Sequence, residues 1–184
     1  NFIGGGEESF GVMVGSAVRD KDAVGATLLI CEIAARAKSK GRLVLEELID
    51  LYVAYGFYKE RLVSFTKKGI DGALEIKKMM DDFRNQPLEK LIGKKVVMIE
   101  DYLQSVSYDK ITNTESAIDV PSSNVLIYYL EDGTKICARP SGTEPKIKFY
   151  FSVNTPLEST EKYEETEALL EKKLDSLVSE LQLD

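Results

Sequence analysis

The sequence predicts an α+β fold in two parts: a pair of helices, then a unit of strands and helices built on an antiparallel sheet. Three observations predict it. Helical periodicity fills most of residues 21–55, with almost no strand signal. Strands then follow one another over a short distance around Asp132-Gly133, a hairpin signal. And residues 146–153 alternate strictly, with Ile147, Phe149, Phe151 and Val153 facing one way and Lys146, Lys148, Tyr150 and Ser152 the other. Runs of helix followed by mixed strands and helices point to separate units, the second of α+β type.

The elements follow in order. The Gly-rich opening over residues 1–15 reads as a loop between short extended pieces. Residues 21–38 read as a helix that is apolar nearly all round, with Val24, Leu28, Leu29, Ile30, Cys31 and Ile33. Such a helix is expected to be buried on most sides, so the first unit is not a complete domain. A second helix over residues 45–55 stops at Gly56. A strand is predicted at 61–66, a helix at 71–84 and a strand at 94–102. The hairpin at 125–138 is expected to turn as type I′, which needs positive φ at Asp132-Gly133. Thr155-Pro156-Leu157-Glu158 resembles a capping box with proline at the first helical position, opening a terminal helix striped by Leu170, Leu174, Leu177 and Leu181.

Composition excludes several classes. With 43% hydrophobic and 30% charged residues, wholesale disorder is ruled out. No apolar run reaches the roughly 20 residues that span a bilayer. A net charge of -7 argues against broad nucleic-acid binding. The acidity is local: residues 157–184 hold 3 basic and 9 acidic side chains, whereas residues 57–156 hold 15 and 14. The middle of the chain is therefore free to bind an anion. Histidine is absent, which excludes a Ser-His-Asp triad, a Cys-His pair and any His-ligated metal within the chain. Cys31 and Cys137 are too few for a disulfide scaffold and read as core residues. The chain starts at Asn1 with no basic stretch before an apolar run, which reads as a fragment boundary without a signal peptide.

Three constellations can carry chemistry. Arg139-Pro140-Ser141-Gly142-Thr143-Glu144-Pro145 is a tight turn between strands. Arg139 offers a planar fork of donors, Ser141 and Thr143 offer hydroxyls, and Gly142 lets backbone N–H groups approach a ligand. Lys148 supplies a second cation, two positions from Lys146 on one strand face. That donor set suits an oxyanion such as phosphate; the alternative is a plain rigid β-turn. Gly4-Gly5-Gly6-Glu7-Glu8-Ser9-Phe10-Gly11 is no phosphate cradle, because its carboxylates repel anions. It suits the hydroxyls of a polyol, or is a solvated acidic turn. In Arg19-Asp20-Lys21-Asp22 the acids can cap a helix, while Arg19 and Lys21 are free to face an anion. Asp20 and Asp22 alone are too few oxygen ligands for a hard cation.

Taken in order, "GGEESFG", "VRDKDAVGA" and "RPSGTEPKIKFYF" resemble the phosphoglucomutase/phosphomannomutase (α-D-phosphohexomutase) family. The resemblance implies that residues 1–56 are the end of a sugar-binding α/β third domain, a two-helix remnant. It implies that residues 57–184 are the α+β fourth domain, an antiparallel sheet with helices on one face. Glu7 and Ser9 match the family's sugar-reading residues, and Lys21, with Arg19 alongside, matches a basic position of the third domain. Arg139, Ser141, Gly142 and Thr143 match the loop that grips the substrate phosphate not undergoing reaction. Lys148 stands where many relatives have arginine, which keeps the charge and loses the bidentate fork.

The resemblance further implies interconversion of sugar 1-phosphate and sugar 6-phosphate through a phosphoserine and a bisphosphate. The partners implied are glucose 1-phosphate, glucose 6-phosphate and glucose 1,6-bisphosphate, in the cytoplasm. The family's Ser-His loop and Asp-rich magnesium loop have no counterpart here. So no catalytic or metal-binding residue is expected in this chain, magnesium belongs to the parent enzyme, and the chain alone is expected to be inactive. A phosphomannomutase or phosphopentomutase fragment, a non-catalytic sugar-phosphate-binding module, and a protein-interaction domain using the acidic terminal helix are the alternatives. Glu7 and Ser9 are expected to be unorganised without the rest of their domain. The uncovered helix over 21–38 is expected to pack on the second helix and on a second copy, as a two-fold dimer.

Overall fold

The computed structural model describes residues 2–7, 11–67 and 69–183, with backbone only at 69 and 70. It divides into two compact units, residues 1–54 and 55–184. Among the described residues no helix is long and apolar enough to cross a membrane.

In the first unit, β1 (Gly4–Gly6) and β2 (Val12–Val14) form an antiparallel pair, followed by α1 (Ala23–Ser39) and α2 (Val44–Tyr55). Asp22 caps α1 by accepting a hydrogen bond from the Val24 N–H at 3.1 Å. The expected side-by-side packing of α1 on α2 is not what forms. Only Ala37 of α1 is fully buried, and α2 buries no residue fully. The two helices are tied near their connection by Glu47, which pairs with Arg36, Lys40 and Arg42. The apolar skin of α1 stays in solvent, with Val24 at 82% and Leu28 at 62% exposure. Cys31 lies on that skin and is exposed, not core.

The second unit is an antiparallel sheet in the order β3-β10-β9-β8-β5-β6-β7, with β4 paired to β5. The strands are β3 (Phe57–Thr66), β4 (Lys90–Leu91), β5 (Lys94–Asp101), β6 (Val106–Asp109), β7 (Thr114–Ala117), β8 (Leu126–Leu130), β9 (Lys135–Pro140) and β10 (Lys146–Thr155). The strand predicted at 61–66 is ten residues long, and all ten pair with β10. The alternation of β10 becomes burial: Ile147, Phe149, Phe151 and Val153 are each at most 1% exposed. Helices α3 (Gly69–Asn85) and α4 (Tyr163–Glu180) cover that face. Phe83 of α3 meets the edges of Tyr128 and Phe149, and α4 buries Leu170, Leu174, Leu177 and Val178. Arg84 and the buried Asp101 form an ion pair at 2.9 Å that ties α3 to the end of β5.

Three local expectations are corrected. The β8–β9 hairpin exists, but only Gly133 has positive φ, at 81°. Leu130 and Thr134 close a three-residue loop, with Gly133 N–H donating to the Leu130 carbonyl and Leu130 N–H to the Thr134 carbonyl. That is a three-residue loop with glycine in the left-handed region, not a type I′ turn. The terminal helix does not start at Thr155, because Thr155 is the last rung of β10, paired with Phe57. Leu157 is instead buried in the following extended segment, and a 3₁₀ turn at Thr160–Lys162 leads into α4. The strands β4, β6 and β7 carry no strand signal that the sequence reading caught. They are short, and β7 is exposed along its whole length.

Charges on the covered face pair across the sheet–helix interface. Lys59 of β3 meets Glu167 and Glu171 of α4, and Arg61 meets Glu171 and Asp175. The hydrogen bond from Lys59 holds the Glu171 carboxyl below its ordinary value of 4.5, against the opposing effect of burial. A carboxyl whose folded pKa is lowered stabilises the fold above its unfolded value, and that stabilisation is lost as pH falls through the folded one. We expect the gap in urea midpoint between the parent chain and Glu171→Gln to be open at pH 7 and to close as pH drops below about 4.5. A gap that does not change with pH would show that the pairing does not stabilise the unit.

Candidate functional site

The site in the second unit is the connection from β9 to β10. The ladder sets Arg139 directly opposite Lys148, and Pro140 opposite Ile147. Ile147 points into the core, so Arg139 and Lys148 share the uncovered face. Lys146 lies two residues along on that face and pairs with Thr66 of β3. Arg139, Pro140, Ser141, Gly142, Thr143, Glu144, Lys146 and Lys148 surround a cleft of about 420 Å³.

The turn holds itself closed. Ser141 N–H donates to the Lys146 carbonyl at 2.7 Å, and Lys146 N–H donates to the Glu144 carbonyl at 2.7 Å. Ser141 Oγ accepts from the Thr143 and Glu144 N–H groups at 3.4 and 3.2 Å. Lys67 N–H donates to the Pro145 carbonyl at 2.9 Å, tying the turn to the end of β3. Two of the turn amides, those of Thr143 and Glu144, are spent on Ser141, which narrows the expected backbone donor set to Gly142. The donors left are the Arg139 guanidinium, the Gly142 N–H, the Ser141 and Thr143 hydroxyls and the lysine ammonium groups.

Three cations face this cleft against the single carboxylate of Glu144. Among the described residues neither Arg139, Lys146 nor Lys148 is in an ion pair. Lys148 Nζ instead lies 5.8 Å from the centroid of the Tyr150 ring. Cys137, two residues before Arg139, is half-buried on the same face, and burial pushes its thiol pKa up. It is neither the core residue expected nor an activated nucleophile. Lys146 and Tyr150 were not picked out as site residues from the sequence. The signal was their spacing, since both share the period-two face of Lys148.

The site in the first unit gathers Glu7, Arg19 and Lys21 around a second cleft, of about 380 Å³. Glu7 and Lys21 form an ion pair at 3.4 Å, and Glu7 N–H donates to the Gly11 carbonyl at 2.9 Å. Glu7 is thus tied to Lys21 within its own unit; Ser9 lies outside the described residues. Gly11 is required by crowding, because a Cβ there would stand 2.3 Å from Lys21 Cδ and 2.6 Å from Glu7 Oε1. Asp20 accepts from the Lys21 N–H and Asp22 caps α1. Among the described residues no group of three or more His, Cys, Asp or Glu is placed to hold a metal ion.

Residues 1–52 match the family model described as phosphoglucomutase/phosphomannomutase, alpha/beta/alpha domain III. A phosphoglucomutase of Staphylococcus aureus strain MRSA252 is 42% identical over 156 residues, which is 85% of this chain and 28% of the relative. A phosphoglucomutase of Staphylococcus epidermidis is 39% identical over 154 residues, 84% of this chain and 28% of its own. A match of that length runs through both units. The solved open form of parafusin, a phosphoglucomutase from Paramecium, aligns with 94% of this chain and 30% of its own, at 18% identity and a TM-score of 0.49. The chain thus spans less than a third of the length of these relatives.

Gly142 gives a test of what the turn is for. Its φ is not positive, and a Cβ added there meets nothing within 4 Å. The turn itself does not require glycine at this position. Gly142→Ala is expected to leave the thermal midpoint unchanged or raise stability by up to about 1 kcal/mol. A clear fall in the midpoint would mean that glycine is there for the turn.

Proposed function

From the phosphohexomutase-family assignment that these matches support, we propose that the chain is the substrate-binding C-terminal part of a phosphoglucomutase-type enzyme. On this reading residues 1–56 end a third domain whose Glu7, Ser9, Arg19 and Lys21 take the sugar, and residues 57–184 form the fourth domain. The apolar skin of α1 is then a surface that the rest of the third domain covers. The reaction of the whole enzyme exchanges glucose 1-phosphate and glucose 6-phosphate through a phosphoserine and glucose 1,6-bisphosphate, in the cytoplasm. Glucose is preferred to mannose or ribose because the relatives named above are phosphoglucomutases. On this reading the nucleophile and the magnesium site belong to the rest of the enzyme.

The observation that carries the reading is the Arg139–Lys148 pair. Like charges directly opposite on adjacent strands destabilise a sheet, and no carboxylate among the described residues relieves them. A phosphate dianion does so, and the Ser141 and Thr143 hydroxyls add donors to it. Arg139, Ser141, Gly142, Thr143 and Lys148 thereby hold the phosphate that is not reacting. A site centred on phosphate does not read the sugar ring, so it accepts both orientations the bisphosphate must adopt. Phosphoryl transfer rests on positioning and charge neutralisation, and this part supplies the positioning.

Calorimetric titration of the chain with glucose 1-phosphate tests this. A charge-assisted hydrogen bond contributes about 1.5–3 kcal/mol, so Arg139→Ala should weaken binding by roughly ten-fold to more than a hundred-fold. The parent chain should bind without converting the ligand to glucose 6-phosphate. Equal affinity of the two proteins, or turnover by the chain alone, would sink the reading.

A further inference from the structure

Lys148 lies against an aromatic ring and is in no ion pair among the described residues. Lys148 and Tyr150 are two residues apart on β10, hence on one face. The ammonium lies 5.8 Å from the ring centroid, within the range of a cation–π contact. Across the ladders its neighbours are Arg139 on β9 and Ser64 on β3. The Lys148 side chain is a flexible four-carbon stem with a like charge on the residue opposite. A carboxylate would restrain the stem and cancel its charge. A ring face restrains it through its quadrupole and leaves the charge whole.

Resting on the reading of the Arg139 turn as a phosphate site, we infer that Tyr150 is a positioning residue for that site: its ring restrains the Lys148 ammonium on the face it shares with Arg139, in no ion pair among the described residues, for the phosphate to meet. Tyr150 touches no reacting atom. Its part is to make lysine serve where a guanidinium fork would be rigid on its own.

The test is calorimetric titration of the whole chain with inorganic phosphate. Tyr150→Phe keeps the ring and should bind as the parent does. Tyr150→Leu keeps bulk on a half-buried strand position and should weaken binding about two- to five-fold. Tyr150→Glu, which would pair with Lys148, should weaken it further. Adding Tyr150→Leu to Lys148→Met should then cost nothing more. If Tyr150→Leu binds like the parent while Arg139→Ala is weakened, the inference fails and the phosphate reading stands. If Tyr150→Leu weakens binding equally in the Lys148→Met background, the loss is general damage to the strand and the inference fails. If Arg139→Ala itself binds like the parent, the phosphate reading fails first and takes this inference with it.

Discussion

The register of β10 is the constraint on which the second unit depends. Ten residues of β10 pair with β3 on one side and six with β9 on the other. Ile147, Phe149, Phe151 and Val153 are buried almost completely, and each such side chain contributes roughly 1.5–3 kcal/mol. A slip of one residue would send those four into water and Lys146, Lys148 and Tyr150 into the core. The core therefore fixes where the cations go. Arg139 and Lys148 face each other because Ala138 and Phe149 face each other one residue away, on the covered side. The repulsion at the site is imposed by packing that is far stronger than the repulsion, so the sheet can hold two cations together without the ligand.

The same sheet separates the charges. Most carboxylates of α4 that face the sheet are taken by Lys59 and Arg61, and Lys173 pairs with Asp132 at the far turn. Those acids lie on the covered side. The cleft by the β9–β10 turn keeps three cations against one carboxylate. A chain of net charge -7 thus presents a local site of opposite sign, which is the quantity an approaching anion meets.

What could be read in the sequence follows how locally each feature is encoded. The alternation of β10 was legible because both faces differ sharply, and with it the shared face of Lys146 and Lys148; the pairing of Lys148 with Arg139 was not, because it depends on the β9–β10 register. The first three helices were legible from periodicity to within two residues. β6 and β7 were not, because Val106–Asp109 and Thr114–Ala117 bury no fully apolar face and so carry no alternation. The supposed cap at Thr155 failed because a ladder partner, Phe57, lies 98 residues away in sequence and claims that backbone for the sheet. The role of Ser141 was hidden for a similar reason: a hydroxyl in a turn reads as a free donor until its lone pairs are seen accepting from Thr143 and Glu144. Tyr150 was legible only as a strand residue, since a cation–π contact has no motif.

The two units support a lysine in opposite ways, and this separates what each cleft can take. Lys21 is paired with Glu7, so a carboxylate stands beside its charge within its own cleft. What remains there is polar and close to neutral, suited to hydroxyl groups that both give and accept hydrogen bonds. Lys148 is held by the Tyr150 ring and spends none of its charge. What remains there is a field that only an anion satisfies. A sugar phosphate carries both kinds of group on one molecule. On the proposed reading, the carboxylate in one unit and the aromatic ring in the other, as supports for an otherwise similar side chain, suit the first cleft to hydroxyls and the second to phosphate.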